Sequence, residues 1–475
     1  MALTKDLASI VGSKYVSDDP DSLEEYSRDY SFVQPRMPSC IAFPKNTEEI
    51  QEIVKYANRC QIPVTPRSST VSFYGAGIPL QGGIIVDLTR MNKILDINVR
   101  NKRVKVEPGV TWTQVQDELE KQGLMVCSPL LPHPAKSVLT STLEREPMLI
   151  PKAEYDEVFM TAAVVLPSGS MYHTGNALWS SYGTSIDGFI PCTRLFTGAQ
   201  GTLGIVAWAN IKAEFIPKMD KLFFMPFDSI EDIVEPMYRI QYLQLGSECL
   251  VLNGFNLATI LAKNWPNEFS ALTQTLPSYI LILCLSGTYR LPEEKIEYEE
   301  KALKKVASEL GFKVGRTIAG IPRLGDTMLK MLRKPWQGDG YWKLRYKGSC
   351  HDVFFHTTLN RVPEFTKAIH EVAAKYGYPT TDIGVYLQPL QRARACFCQY
   401  GFHCNPNDAR DVERVCRLCL EASEKAINMG ALFATPYGPW ADMVYSRTAE
   451  YSATLRLVKA AFDPSNIMNP GKLCF

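Results

Sequence analysis

Residues 63–90 read PVTPRSSTVSFYGAGIPLQGGIIVDLTR, and the punctuation of this stretch decides the fold. Pro63–Pro66 reads as a short strand. GGIIVDL, residues 82–88, reads as a buried strand bounded by glycines. Between them lies a loop of small and polar residues, Arg67 to Gly77. Small side chains and glycines let backbone N–H groups approach an anion closely, and the Ser and Thr hydroxyls add donors. A surface loop with no ligand is the alternative. No G-x-G-x-x-G opens a helix and no G-x-x-x-x-G-K-[ST] occurs, which disfavours the Rossmann and P-loop arrangements.

Working outward, EEIQEIVKYANRC (residues 48–60) spaces Ile50, Ile53, Val54 and Ala57 as one helical face. ILDINV and RVKVE, after the second strand, predict two more strands with a turn at Asn101-Lys102. TWTQVQDELEKQG predicts a helix with Trp112, Val115 and Leu119 inward and Gly123 at its end. Strands are expected at 158–166 and 170–174, separated by Pro-Ser-Gly, and again over 203–216. After residue 218 strands and helices alternate. LFFMPF leads to a helix near 230–241, and a strand at 278–286 leads to a helix over 292–310. DVFFHTT leads to a helix near 363–376. Strands at 383–388 and 394–403 precede a long helix from Asp408 to Asn428. The pattern fits a sheet covered by helices on one face. The last 45 residues are expected to hold one helix and the turn-rich tail DPSNIMNPGK.

The chain has 475 residues, enough for two or three domains. Fifty-one basic residues balance fifty acidic ones. Phosphate neutralisation needs a basic excess, so no nucleic-acid partner is expected. No apolar run reaches membrane-spanning length and no signal peptide opens the chain, so a cytoplasmic protein without a membrane span is expected. The 13 cysteines read as buried free thiols. Cys396, Cys398, Cys404, Cys416 and Cys419, spaced C-x-C-x5-C-x11-C-x2-C, match no metal pattern, and no metal site is expected. His351 and His356 read as structural or surface residues.

GAQGTLGIV (198–206) leads glycines into an apolar strand, a pattern suited to close packing against a flat cofactor or to a plain turn into a strand. Together with PVTPR, GGIIVDLTRMNKIL, VEPGVTW, VVLPSGSMYHTG and the DPSNIMNPGK tail, it gives the chain a resemblance. In order and spacing these motifs resemble the FAD-dependent vanillyl-alcohol oxidase and p-cresol methylhydroxylase family. That family is related to glycolate oxidase and D-lactate dehydrogenase FAD subunits. The likeness covers roughly residues 20–217 and 380–475. It implies an α+β, PCMH-type two-subdomain FAD-binding fold, an α/β cap domain, and a C-terminal segment returning to the FAD domain. The corresponding boundaries are 1–218 for the FAD-binding domain, 219–430 for the cap and 431–475 for the returning segment.

By the same resemblance FAD would be held by Pro66, Arg67, Ser68, Ser69, Thr70, Ser72, Tyr74, Gly75, Pro108, Gly109, Ser137, Val138, Thr140, Ser141, Glu144, Arg145, Gly201, Gly204, Ile205, Val206 and Asn469. Histidine-bearing covalent-flavin motifs are absent, so dissociable FAD is expected. Ser137-Val138-Leu139, Leu143-Glu144-Arg145 and Phe73-Tyr74-Gly75 resemble the phenol-oxidising branch, and the Glu-His-Gly motif of hydroxy-acid dehydrogenases is missing. Glu154 falls where that branch has an active-site aspartate. Tyr74 is expected to contact a phenolate, with Tyr437 and Arg392 or Arg394 as further contacts, because a phenolate needs hydroxyl or guanidinium donors in a dry pocket.

The resemblance therefore implies an FAD-dependent oxidoreductase that takes a hydride from a small phenolic or aromatic alcohol or an alkylphenol. A 2-hydroxy acid dehydrogenase is the first alternative. The second is a non-catalytic FAD-fold subunit of a redox complex, suggested by serines and a threonine where relatives carry glycines in the phosphate loop. An electron-acceptor protein or redox subunit and a homodimeric state are the partners to consider.

Overall fold

The computed structural model describes residues 2–151, 158–175, 192–318, 321 and 323–475. The quoted stretch folds as two parallel neighbours, strands Val64–Arg67 and Ile84–Asp87. They join Cys40–Ala42 and Val16–Ser17 in a four-stranded sheet. Its crossover is the helix Thr47–Cys60, started by Asn46, whose Oδ1 accepts from Glu49 N–H at 2.9 Å. Ile50, Ile53, Val54 and Ala57 are its buried face.

A second sheet is antiparallel and five-stranded, in the order Ile94–Asn98, Arg103–Val106, Ile205–Lys212, Phe159–Val165 and Met171–His173. The helix Trp112–Glu120 packs on it, closed at its start by a reciprocal Thr111/Gln114 capping box. Trp112 is fully buried, and its indole N–H donates to Ser141 Oγ at 2.9 Å.

The third sheet has six antiparallel strands, ordered Met219–Phe227, Tyr279–Gly287, Cys249–Asn253, Gly384–Leu390, Ala395–Cys404 and Ser349–Thr357. The two-residue period sends Phe223 and Met225 to one face and Leu222 and Phe224 to the other. The first face packs on the helices Glu231–Tyr242, Pro292–Leu310, Val362–Lys375 and Ala409–Asn428. The second face is not left bare. It packs on the helix Leu324–Leu332 and on Leu130, Leu131 and Leu149, so the loop after the second sheet's helix is sealed by residues between 222 and 397.

The last 45 residues hold two helices, Pro439–Tyr445 and Ala449–Phe462, where one is expected from sequence. The first begins with proline after Gly438 and spans too few residues to display an apolar period. The segment after Ser137 forms the short helix Val138–Leu143, with Ser137 Oγ accepting from Leu139 and Thr140 N–H. The tail returns to the first sheet, where Met468 pairs in parallel with Val64.

Among the described residues no helix is long and apolar enough to cross a membrane. Cys396, Cys398, Cys404 and Cys419 lie in the apolar core beneath the helices, where burial pushes the Cys398 and Cys419 thiols well up. No three ligating side chains converge among the described residues. His351 stacks on Phe32 and burial lowers its pKa to about 4, which makes it a neutral packing residue.

Candidate functional site

A cavity of about 110 Å³ opens where the first two sheets meet. Its walls come from the end of strand Val64–Arg67 and the loop after it, from Leu88 and Pro108, from the helix Val138–Leu143, from the glycine turn 199–206 and from Tyr437. Twelve of the residues expected to hold the cofactor line it: Pro66, Arg67, Ser68, Ser69, Ser72, Pro108, Thr140, Glu144, Gly201, Gly204, Ile205 and Val206. Val71, Leu88, Leu139, Leu143 and Leu203 of the apolar lining fall within the stretches quoted from sequence, whereas Phe196 lies outside them.

The hydroxyls of the loop are organised by the short helix. Ser68 Oγ lies 2.5 Å and Ser69 Oγ 3.0 Å from Thr140 Oγ1, and Ser69 Oγ accepts from Ser137 N–H at 2.8 Å. Arg67 donates to the carbonyls of Ser69 and Thr70 and sits over the Tyr26 ring, its centroid 4.6 Å away. Gly201 holds φ +73°, and a Cβ there would lie 2.4 Å from Pro66 Cγ, so only glycine lets the turn close on the strand. Gly201→Ala is therefore expected to cost about 1–2 kcal/mol in backbone strain. It should also lower bound FAD at least tenfold, read as the flavin absorbance that survives gel filtration, with the far-ultraviolet circular dichroism unchanged.

The other expected cofactor residues do not line this cavity. Thr70 is exposed. Gly75 N–H donates to Asp29 Oδ2 at 2.7 Å, and Gly109 N–H to the Met91 carbonyl at 2.7 Å. Val138 is core, Ser137 caps the helix and Ser141 holds Trp112. Arg145 donates to Thr197 Oγ1. Asn469 is a buried knot. Its Nδ2 donates to the Ala76 and Gln200 carbonyls at 3.1 and 2.6 Å, its Oδ1 accepts from Thr65 Oγ1 at 3.1 Å, and its N–H donates to the Val64 carbonyl at 2.8 Å. Lys459 Nζ donates to the Thr202 and Met468 carbonyls and to Asp463 Oδ2, tying the tail to the glycine turn. Neither residue's task is legible without the fold.

A second, narrower cavity of about 50 Å³ lies between residues 129–147 and the six-stranded sheet. Six of its lining residues are aromatic: Phe73, Tyr74, Tyr341, Trp342, Tyr386 and Phe397. Tyr74 stacks on Tyr437 with centroids 5.1 Å apart. One buried charge cluster serves both cavities. Lys136 Nζ lies 2.5 Å from Glu144 Oε2 and 2.6 Å from Glu146 Oε1. Glu144 lines the first cavity, while Lys136 and Glu146 line the second. Burial opposes the Lys136 ammonium, but the two carboxylates outweigh it and hold its pKa above the ordinary value. Burial pushes Glu144 up to about 6 even with Lys136 pulling it down. Burial first, and nearby carboxylates second, push Tyr74 and Tyr437 well up, so both keep their protons. Lys136 and Glu146 are absent from the sequence expectations. A Lys–Glu–Glu set within eleven residues reads as a solvated loop until the sheet covers it.

Of the expected catalytic residues, Tyr74 and Tyr437 come together here. Arg392 and Arg394 line neither cavity. Gln391, Arg392 and Ala393 all adopt positive φ (47°, 58° and 63°), and the turn they form carries the Arg392 guanidinium toward Cys249 and Glu299. Arg394 is exposed. Glu154 lies outside the described residues.

The first cavity suits a flavin dinucleotide. Its hydroxyls and one guanidinium are the donors a diphosphate needs, and its apolar side chains suit a flat ring. The glycine turn keeps clear a space that a Cβ would occupy. Residues 38–144 match an FAD binding domain, and residues 439–473 match the C-terminal domain of FAD-linked oxidases. The chain is 25% identical to glycolate oxidase subunit GlcD of Bacillus subtilis, covering 99% of this chain and 97% of that one. It is also 25% identical to D-2-hydroxyglutarate dehydrogenase of Stutzerimonas stutzeri, covering 99% and 98%. Among solved structures it resembles p-cresol methylhydroxylase with substrate bound (TM-score 0.87, 19% identity, 100% of this chain and 96% of that one). It also resembles 4-ethylphenol oxidase from Gulosibacter chungangensis (TM-score 0.84, 18% identity, 99% and 96%).

Proposed function

We propose that this chain, an FAD-linked oxidoreductase with a PCMH-type fold, oxidises a small, uncharged phenolic or aromatic alcohol or an alkylphenol. One observation carries the choice: the aromatic cavity offers no free cation among its described residues. Lys136 is spent on two glutamates, Lys343 is 2.5 Å from Asp352, and no arginine lines the cavity. A substrate carboxylate there would meet a cluster that is already anionic, and burying it unpaired would be costly. An aromatic ring would instead meet six aromatic side chains.

FAD held by the first cavity supplies the two-electron acceptor. The protein's own part is to position and desolvate the substrate beside Tyr74, which stays protonated and can donate to its oxygen; Tyr437 stacks on Tyr74 and donates to the Glu144 carbonyl. We assign residues 1–218 and 431–475 to the FAD domain and 219–430 to the cap, because the six-stranded sheet begins at Met219 and its last covering helix ends at Asn428.

The full-length relatives named for glycolate and D-2-hydroxyglutarate support the second reading, a 2-hydroxy acid substrate. Anaerobic titration of the FAD-loaded protein separates the two. 4-Hydroxybenzyl alcohol or a 4-alkylphenol is expected to bleach the flavin absorbance within minutes, while glycolate and D-lactate leave it unchanged. Bleaching by the hydroxy acids alone would reverse the assignment.

A further inference from the structure

Glu146 is the one carboxylate lining the aromatic cavity among the described residues. Its Oε1 accepts from Lys136 Nζ, and its Oε2 accepts from no described residue. The other polar groups of the cavity cannot take a proton. Burial holds Tyr74, Tyr341 and Tyr386 well above their ordinary pKa, so they stay neutral donors. Burial lowers the His133 pKa, with Lys136 adding to the effect. Its Nδ1 already accepts from Ala135 N–H at 3.2 Å, which places the ring hydrogen on Nε2. Lys136 and Lys343 are ammonium groups held by carboxylates.

Position separates the two glutamates paired to Lys136: Glu144 lines the first cavity, and Glu146 is the one that lines the aromatic cavity beside the substrate's hydroxyl.

We propose that Glu146 is the catalytic base, taking the hydroxyl proton of the aromatic substrate as the hydride leaves. The assignment rests on the aromatic-substrate reading. For a 4-alkylphenol the O–H bond breaks with its proton passing to Glu146 Oε2. The benzylic C–H bond breaks with its electron pair passing to FAD. The ring is left as a neutral quinone methide, oxidised by two electrons, while FAD is reduced by two. Lys136 is the positioning residue, holding Oε1 so that Oε2 faces the substrate.

The test uses the FAD-loaded full chain with 4-hydroxybenzyl alcohol as reductant and phenol, which lacks a benzylic carbon, as a non-reacting ligand. Glu146→Gln is expected to slow anaerobic flavin reduction about 10²–10⁴-fold, while the phenol dissociation constant, read from the flavin spectrum, moves less than about threefold. Glu146→Asp should recover at least about tenfold of the lost rate. Besides Lys136 and Glu144, the ionisable groups that feel Glu146 are Tyr74, Tyr341, Tyr386, Tyr437 and Lys343, all of which remain in the variant. A loss confined to phenol affinity, or a Glu146→Gln rate equal to wild type, would overturn the base. A wild-type protein that neither binds phenol nor is bleached by the alcohol would remove the substrate reading and the base together.

Discussion

Replacing Lys136 by methionine is expected to destabilise the protein by about 3–5 kcal/mol at pH 8, because it strands two buried carboxylates without their cation. Lys136 and Glu144 expose only 3% and 9% of their side chains, so solvent cannot replace the lost partner. The penalty has a definite pH sign. The Glu144 pKa is already raised in the folded protein, to about 6, by burial. A carboxyl raised above its unfolded value binds its proton more tightly when folded. Its contribution is therefore fully present below the unfolded value and is lost as pH rises through the folded one. Without Lys136 the folded value climbs further. The deficit between variant and wild type, measured by urea unfolding, should thus be smaller near pH 5, where Glu144 carries its proton, than near pH 8. Equal deficits at both pH values would mean that the carboxylates are not the source. The double change Lys136→Met with Glu144→Gln should recover part of the loss, since it removes one of the stranded charges.

Asn469→Ala is the second large effect. It breaks three side-chain hydrogen bonds and leaves the Ala76 and Gln200 carbonyls short of a donor. At about 1 kcal/mol per bond, with an added penalty for carbonyls left unpaired, the loss is about 3–4 kcal/mol. Asn469 also sits at φ +42°, which alanine tolerates less well. Asn469→Gly removes the strain but not the lost bonds, so it should recover only about 1 kcal/mol. Both variants should release FAD more readily, because Ala76 and Gln200 line the cofactor cavity. Urea unfolding with flavin absorbance after gel filtration reads both effects. Full FAD retention in Asn469→Ala would show that the cavity walls stand without the knot.

The elements with local causes are legible in the sequence. The helix Thr47–Cys60 follows from its apolar spacing and its Asn46 cap, and Trp112–Glu120 from its capping box. The strands around residues 64 and 84 follow from their apolar runs and bounding glycines. What stays hidden depends on partners far along the chain. Lys136 and Glu146 look solvated in KSVLTSTLEREP, and only the arrival of Tyr386, Phe397 and Gln399 encloses them. Arg392 is misplaced from sequence because three successive left-handed residues reverse its direction, and no residue type in Gln391-Arg392-Ala393 signals that backbone. The short helices Val138–Leu143 and Pro439–Tyr445 escape because a period cannot be read from six or seven residues.

The tail knot sets a rule for biosynthesis. Thr65 and Asn469 are 404 positions apart, yet they share one hydrogen bond beside the flavin cavity. A ribosome that has finished both of the first two sheets has still not made the residues that fasten their cavity. At ~5–20 residues per second, the strand at residue 64 waits about 20–80 seconds for its partner. Cofactor capture is thereby deferred until nearly the whole chain has been translated, and a nascent chain interrupted before residue 459 emerges without a closed place for its flavin.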